Sequence, residues 1–289
     1  MVGATSGSPL AARRKLGSEL RRLRDSLGLT TEEVGEHLQC HNSKVSRIER
    51  AKRACTKKDF AALMDFYEVS ADLRATLNDL MLTGLKRVPP WWQAFADSIS
   101  ASYAEFLEYE SEADKCCEYQ PLLVPGQLQT EEYARAVTGV GFTALGPDQV
   151  DSLVEVRMLR QQRLREEDPM LLDVVVTEAA LRLQVGGVSV MRAQLQHLRH
   201  IATQDNVTVR VIPFVAGENG ASTGAFTLFG TGKETDADVA FMESAEATTF
   251  RDDPLTMKRL NRLYRSLSTA AASPQDSLEL IENIEKELV

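Results

Sequence analysis

Helical spacing of apolar residues characterises the start of the chain. The first segment carries four leucines three or four residues apart, namely Leu16, Leu20, Leu23 and Leu27. This spacing predicts an amphipathic helix that ends near Gly28. Four more short helical patterns follow, over residues 30–38, 42–50, 57–69 and 70–86. We therefore expect an all-α domain of five helices over residues 15–88, preceded by a flexible tail over residues 1–14.

The second and third patterns meet in the stretch TTEEVGEHLQCHNSKVSRIER, which begins at Thr30. Thr30 is a favourable helix N-cap, and Glu33 three residues later completes a capping box. Gly35 is costly inside a helix unless another backbone comes close, as happens where two helices cross at a tight turn. Val45 and Ile48 give the following helix an apolar edge. The stretch therefore predicts a compact pair of helices whose second member exposes a polar side.

Two adjacent prolines interrupt the helical patterns and predict a linker over residues 89–100. A long helix with an acidic face is predicted over about residues 101–119. A loop bounded by prolines then leads into a helix capped by Thr130, and a further helix with arginines along it is predicted before residue 168. These segments would cover whatever core the remaining residues form.

The period of the pattern changes after about residue 170. Four short segments rich in Val and Phe predict strands, namely LLDVVVT, VTVRVIPF, GAFTLFG and DVAFMES. A helix that starts at Glu178 and is interrupted at Gly186 separates the first two strands, and the last two are close enough to form a hairpin. We therefore predict a multidomain chain whose α+β domain, residues 101–289, has a small mixed or antiparallel sheet covered by helices.

The two halves of the chain carry opposite charge. Residues 1–58 hold 13 Lys plus Arg against 6 Asp plus Glu, whereas residues 89–289 hold 17 against 31. The formal net charge of the whole chain, −9, conceals the basic segment. Positive charge clustered on a small module is typical of phosphate binding, and an acidic remainder weakens indiscriminate binding to nucleic acid.

Hydrogen-bond donors dominate the polar side of the predicted third helix. Asn pairs with adenine and Arg or Lys with guanine in the major groove, where a helix-turn-helix places its second helix. We expect four residues to contact base edges: Asn42, Ser43, Lys44 and Arg47. We expect five residues to contact phosphates: Thr31, His41, Arg50, Lys52 and Arg53. The alternative interpretation is an ordinary helical hairpin with a solvated face.

On these residues the N-terminal segment resembles the helix-turn-helix of Xre-type, phage-repressor-like regulators. Gly35 lies at the small-residue position of the first helix, and Val45 and Ile48 lie at the apolar positions of the second. Ala51 stands where that family often has a helix-ending glycine, and His41 stands where Ser or Thr usually caps the helix. The resemblance implies a five-helix domain that binds double-stranded DNA.

A second resemblance covers the C-terminal half. Its signature runs through four segments, namely YQPLLVPGQLQTEEYAR, TEAALR, VIPF and FTL. These look like the uncharacterised C-terminal domain of many actinobacterial Xre regulators, with Gln127 in place of the usual leucine. That family implies a transcriptional regulator, often encoded beside a small partner protein and sometimes described as antitoxin-like. It implies no specific chemistry for the C-terminal domain.

Little in the sequence indicates catalysis or a bound group. The patterns G-x-x-x-x-G-K-[ST], G-x-G-x-x-G and H-E-x-x-H do not occur. His37, Cys40 and His41 lie close together, yet a turn of helix and a loop present them without a second ligand cluster. Glu178 and Arg182 could face a pocket or form a pair within one helix. We expect no enzyme, no cofactor and no metal.

The apolar runs and the cysteines bear on where in the cell the protein is found. No run reaches the roughly 18 apolar residues of a membrane span. The four cysteines follow no C-x-x-C spacing, which favours reduced thiols in the cytoplasm. We therefore expect no membrane partner and a cytoplasmic, nucleoid-associated protein.

The leading hypothesis is a sequence-specific DNA-binding regulator whose C-terminal domain binds a partner protein, an effector that remains unknown, or another copy of itself. A homodimer is expected because paired half-sites double the contacts that one hairpin can make. Leu278, Ile281, Ile284 and Leu288 form a narrow apolar seam that serves either a dimer or its own domain. The alternative function is an antitoxin-like module that mainly binds a small partner protein, and an enzyme is the remote one.

Overall fold

A computed structural model describes residues 9–51, 53–86, 89–141, 146–220, 223–230, 236–243 and 248–288. Internal contacts divide the chain into two compact units, Met1–Pro90 and Trp91–Val289. Each unit has its own apolar core. The fold is therefore multidomain, as the sequence predicts.

The described residues of the N-terminal unit form five helices: α1 Pro9–Ser26, α2 Thr31–His37, α3 Asn42–Glu49, α4 Lys57–Phe66 and α5 Ala71–Gly84. The predicted stripes of α1 to α4 supply most of their core, including Leu16, Val34, Val45 and Phe60. The prediction of five short helices in this order is confirmed.

The first helix starts earlier than its leucine spacing indicated. Residues 9–14, which we assigned to a flexible tail, belong to α1, and residues 1–8 lie outside the described part of the chain. Proline is favoured at the first position of a helix, where its missing N–H has no partner to lose. Ala12 is buried, so this early turn also contributes to packing.

In the described part of the C-terminal unit, helices accompany the sheet or precede it. Seven are α-helices: α6 Ala101–Glu112, α7 Glu131–Gly141, α8 Pro147–Arg160, α9 Glu178–Arg182, α10 Val188–Ile201, α11 Pro254–Ala270 and α12 Pro274–Glu287. The 3₁₀ helix Trp91–Phe95 lies inside the predicted linker. Further 3₁₀ segments are Gly126–Leu128, Gln161–Leu164 and Phe214–Gly220.

Six strands form one mixed sheet: β1 Lys115–Gln120, β2 Leu171–Thr177, β3 Val207–Ile212, β4 Phe226–Gly230, β5 Val239–Glu243 and β6 Thr248–Arg251. Their order is β3-β2-β1-β4-β5-β6. The strands β1, β2 and β3 are parallel, whereas β4, β5 and β6 add antiparallel neighbours. The predicted α+β domain with a small mixed sheet is therefore confirmed.

Helices cover both faces of this sheet. On one face Cys116, Val174 and Phe229 pack in a core that also contains residues of α10 and α12. On the other face Cys117, Val175 and neighbouring side chains pack against α11. Period-two alternation sends the adjacent cysteines of β1 to opposite faces. All four cysteines are free thiols.

The predicted helix over residues 101–119 was wrong in its second half. Helix α6 ends at Glu112, and Lys115–Gln120 forms β1, between β2 and β4. Both faces of β1 are covered, so its residues from Cys116 to Tyr119 are all buried, and no polar alternation marks the strand. The short edge strand β6 was also missed.

The apolar seam of α12 lies inside its own domain. Ile281 and Ile284 are almost fully buried in the core beside α10, and Leu288 joins them. The start of the helix also covers the edge of β3, because the backbone N–H of Val211 donates to Ser277 Oγ at 2.9 Å. The seam is thus core packing, and the expected homodimer stays a prediction. None of the helices in the described ranges combines the length and apolar character of a membrane span.

Candidate nucleic-acid interface

The start of α2 has the predicted capping box. The Thr30 hydroxyl accepts the backbone N–H of Glu33 at 3.2 Å, and the Glu33 carboxylate accepts the Thr30 N–H at 2.7 Å. The Thr30 N–H and the Thr30 hydroxyl both donate to the Glu33 carboxylate, and these two bonds hold its pKa below the usual value. The capping box therefore gives the first backbone N–H groups of α2 hydrogen-bond partners and fixes the start of the helix.

Close packing at Gly35 joins α2 to α3. A Cβ at this position would lie 2.9 Å from the carbonyl oxygen of Cys40 and 3.2 Å from the backbone nitrogen of Asn42. No side chain fits there, so the predicted reason for the glycine is confirmed. Gln39 completes the turn with a left-handed φ of 53°. Val45 and Ile48 on α3 are buried, as expected.

A buried ion pair fixes the end of α3 to α1. Glu49 accepts two bonds from the Arg24 guanidinium, at 2.7 and 3.1 Å, and both side chains are nearly buried. The bond to Glu49 raises the pKa of Arg24. Gly17 lies at the same crossing, since a Cβ there would be 2.4 Å from the Glu49 carbonyl oxygen. Sequence reasoning missed these positioning residues because the partners are far apart in the chain.

The middle of α3 is tied to α4 through Lys44. Its ammonium lies 2.7 Å from the Asp59 carboxylate, which is buried at the start of α4 and also accepts the Thr56 hydroxyl at 2.8 Å. Burial alone would raise the pKa of Asp59, but the bonds from Lys44 and Thr56 outweigh it and lower that pKa. Lys44, expected at a base edge, is therefore held by a neighbouring helix.

The outward side of α3 presents the remaining predicted contacts. Arg47 is exposed. Asn42 donates from its amide to Glu32, and this bond is the largest of those that lower the pKa of Glu32. Arg50 donates to Ser46 Oγ through its Nε at 3.1 Å. The side chain of Ser43 lies outside the described part of the chain.

The predicted phosphate contacts surround this helix. Thr31 is the first residue of α2 and is half-buried, and His41 precedes α3 and is exposed. Arg53, just past α3, is exposed as well. Lys52 lies outside the described residues. The structure thus brings Thr31, Asn42 and the arginines around one helix.

The ring of His37, which lies close to Cys40 and His41 in the sequence, stacks on the ring of Phe66.

An open cleft lies in the C-terminal unit. It has a volume of about 490 Å³ and lies at the carboxyl ends of β2 and β3, a common ligand position in sheets with parallel strands. Apolar residues form most of its lining, including Leu122, Ile212, Pro213 and Phe214. Leu122 and Phe214 are more than half exposed, and the neighbouring Val215 is 95% exposed. Sequence reasoning did not find this site.

Glu178 and Arg182 support the wall of the cleft. The Glu178 carboxylate accepts the Phe214 N–H at 2.8 Å and the Arg182 guanidinium at 2.6 Å. Glu178 is buried, and its two oxygens are engaged by the backbone and by α9 itself. The pair predicted within one helix is therefore present, and it also fixes the segment that carries Phe214.

One catalytic pattern in the sequence, G-A-S-T-G at residues 220–224, matches G-x-S-x-G. That pattern carries a nucleophile only on a sharp turn from a strand into a helix. Here Gly220 ends a 3₁₀ helix and Gly224 precedes β4, while Ser222 lies outside the described residues. The surrounding order of elements is therefore not that of a nucleophile elbow.

A buried polar cluster lies between α6, α8 and the turn at Gly126–Leu128. The Arg160 guanidinium donates twice to Glu110, both bonds being 2.6 Å, and its plane stacks over Phe106 at 4.9 Å. Gln161 donates to the backbone of Gln129 at 2.7 Å. Gln127 is fully buried beside this cluster. This cluster is structural, since it binds elements of the domain to each other.

Two family models match the chain, one in each of its two units. A family model described as a helix-turn-helix domain matches residues 15–77, which hold most of α1, α2 to α4 and part of α5. A model described as a domain of unknown function (DUF5753) matches residues 103–283, which hold the whole sheet. Neither the curated proteins nor the solved structures gave a match.

Proposed function

The chain belongs to the DUF5753 family, whose domain covers more than half of its length, and from this premise we propose that it is a sequence-specific transcriptional regulator. Its helix-turn-helix domain supports DNA binding. One observation carries the proposal that α3 recognises a specific DNA sequence. Helix α3 is fixed to α1 by Glu49 and to α4 by Lys44, and it presents the exposed Arg47 outward. A recognition helix needs such rigid support.

The proposed contacts differ in their roles. Arg47, Asn42 and Ser43 contact base edges, because they lie on the early and outward turns of α3. Asn42 can read a base only after it exchanges its bond to Glu32 for one to DNA. Lys44 becomes a positioning residue, since its ammonium pairs with Asp59.

Phosphate contacts surround these base contacts in the proposal. Thr31 supplies a hydroxyl at the start of α2, and His41, Arg50 and Arg53 flank α3. Lys52 keeps the same role by its place in the sequence. Such contacts set the register on the duplex and the dependence on salt, but they carry no base preference.

The C-terminal domain is the regulated half in this proposal and acts by binding rather than by catalysis. Two exposed apolar side chains in the lining of the cleft, Leu122 and Phe214, support the binding of a partner protein. Large exposed apolar side chains around a concavity are typical of interaction sites. We also propose that the chain is an antitoxin-like Xre regulator of the actinobacterial type. In this proposal it acts as a homodimer and is associated with the nucleoid.

Genomic binding sites test the DNA-binding proposal. Purified full-length protein should select discrete genomic fragments, and the logarithm of its affinity should fall steeply with the logarithm of salt concentration, by about 0.9 for each phosphate contact. Sedimentation on such a fragment should give two chains per site. Absence of affinity for any fragment at low salt would instead support the alternative, an antitoxin-like module that binds only protein.

A matched pair of variants tests the cleft. Leu122→Asp places a charge in the lining of the cleft, where Leu122 is 57% exposed, whereas Val140→Asp changes a valine that is 79% exposed on α7, outside the cleft lining. Co-purification with the product of the neighbouring gene should be lost in the first variant and kept in the second, and both should bind DNA. Equal retention of that product by both variants would remove the cleft from the proposal.

A further inference from the structure

Helix α11 carries positive charge along one whole side. Its buried side packs on the sheet through Met257, Asn261, Tyr264 and Leu267. The opposite side exposes four cations, namely Lys258, Arg259, Arg262 and Arg265. No carboxylate occurs anywhere in its 17 residues. A helix of this composition is unusual in the acidic half of the chain, where residues 89–289 hold 31 Asp plus Glu against 17 Lys plus Arg.

Three of these cations lack a countercharge among the residues that the structure describes. Arg265 pairs with Asp236 at 2.6 Å. No carboxylate of the described ranges pairs with Lys258, Arg259 or Arg262, which we call the cationic face of α11. Several other cations of the domain do have a carboxylate partner, as Arg199 has in Glu282 at 3.0 Å on α12. The charge of the cationic face is therefore available to a ligand.

The helix is held firmly enough to present these charges as a set. Asn261 accepts the Ala237 N–H at 3.0 Å and donates to the Ala237 carbonyl at 2.8 Å. The Tyr264 hydroxyl donates to the carbonyl of Asp173 on β2 at 2.6 Å. Lys258, Arg262 and Arg265 lie on one side over about 10 Å, given a rise of roughly 1.5 Å per residue. Long cationic side chains on a fixed helix suit an extended line of negative charge.

We propose that the cationic face of α11 is a second DNA-binding surface, which contacts the phosphate backbone without reading bases. Duplex DNA carries one negative charge per about 1.7 Å of its axis, so a row of cations meets several phosphates at once. A protein partner is less favoured, because interface cores are apolar and depleted of charge. Leu255 is the single large apolar side chain exposed on this described helix.

This inference rests on the proposed DNA-binding function, and salt dependence tests it separately. The full-length triple variant Lys258→Gln, Arg259→Gln, Arg262→Gln is compared with the wild type on a duplex of random sequence. Each lost phosphate contact lowers the slope of log affinity against log salt by about 0.9, so the triple variant should lose up to about 2.7. The ratio of the wild-type affinity to the affinity of the triple variant should then fall by roughly 40-fold between about 50 and 200 mM salt.

Single variants on the same helix give the matched control. Arg262→Gln should lower the slope by about 0.9, whereas Arg265→Gln should change it by less than half of that, because Asp236 already neutralises Arg265. All of these side chains are exposed, so thermal unfolding should be unchanged. If the triple Gln variant unfolds early, the single variants Lys258→Gln and Arg262→Gln take its place, and the charge-preserving exchange Lys258→Arg, Arg259→Lys, Arg262→Lys is the control that keeps the wild-type slope.

The outcomes separate the two proposals. A triple variant that binds random DNA with the wild-type slope overturns the role of α11, while selection of genomic fragments by the same protein leaves the proposed function intact. A wild-type chain that binds no duplex at about 50 mM salt overturns both. A lowered slope with equal loss of affinity on specific and random DNA supports phosphate contact by α11.

Discussion

Charged side chains around α3 lie at the surface or link neighbouring helices, whereas in the C-terminal unit the pair of Glu110 and Arg160 lies inside the core. Arg47 faces solvent, but Arg160 is 8% exposed and is stacked on an aromatic ring. Arginine is thus exposed at position 47, where we propose that it contacts DNA, and is buried at position 160, where it packs inside the domain. A sequence motif identifies the first kind of arginine, while only the fold identifies the second.

The largest expected effect lies in the core of the C-terminal unit. Arg160→Met leaves the Glu110 carboxylate buried without its cation, and breaking such a pair costs about 3–5 kcal/mol in the free energy of unfolding. Denaturant unfolding of the full chain should show this loss only for the C-terminal unit. Arg165→Met, which changes an exposed arginine, is the control.

A double variant sharpens that prediction. Glu110→Gln with Arg160→Met removes both charges, so part of the stability should return. If Arg160→Met proved as stable as the control, the contrast between the two units would not hold.

The link between α3 and α4 gives an intermediate effect that depends on pH. The folded-state pKa of Asp59 is lowered, so its contribution is complete above the unfolded value of about 3.9 and is lost as pH falls through the folded value. Asp59→Asn should cost about 1.5–3 kcal/mol at neutral pH, because a charge-assisted bond to Lys44 is lost. Unfolding of the N-terminal unit at pH 7 and about pH 3 should show less acid sensitivity in the variant. Equal acid sensitivity in both proteins would contradict the link.

The smallest expected effect is a gain in stability at the turn between α2 and α3. Gln39 adopts a φ of 53°, which glycine accepts without the strain of a side chain. Gln39→Gly should stabilise the N-terminal unit by about 0.5–1 kcal/mol. Glu36→Gly, inside α2, should cost about the same amount. Thermal unfolding of the two variants should therefore move in opposite directions, and a common shift would argue against the left-handed turn.

Local chemistry explains which parts of the fold could be predicted. The capping box at Thr30 and the close approach at Gly35 follow from neighbours within a few residues. Four of the six strands alternate or are rich in Val and Phe, whereas β1, with Cys-Cys-Glu-Tyr buried on both faces, offers no pattern. Its position between β2 and β4 depends on partners at least 50 residues away in the chain.

The candidate site also has some features that local spacing predicts and others that depend on distant residues. Exposure of Arg47 follows from the spacing of Val45 and Ile48 on the opposite side of α3. The pairing of Lys44 with Asp59 and of Glu49 with Arg24 spans 15 and 25 residues, so no periodicity within one helix reveals it. The cleft and the cationic face of α11 likewise depend on which sides of their elements the core covers.

Replacement of Arg47 tests the reading of DNA by α3 most directly. Arg47→Ala and Arg53→Ala are compared on a selected genomic site and on random duplex, both arginines being exposed in the wild type. Arg47→Ala should lose about 1–3 kcal/mol on the selected site, relax the preference at one base pair and change binding to random duplex little. Arg53→Ala should weaken both duplexes alike and lower the salt slope by about 0.9. Equal losses on the two duplexes for Arg47→Ala would contradict the placement of α3 as the base-reading helix.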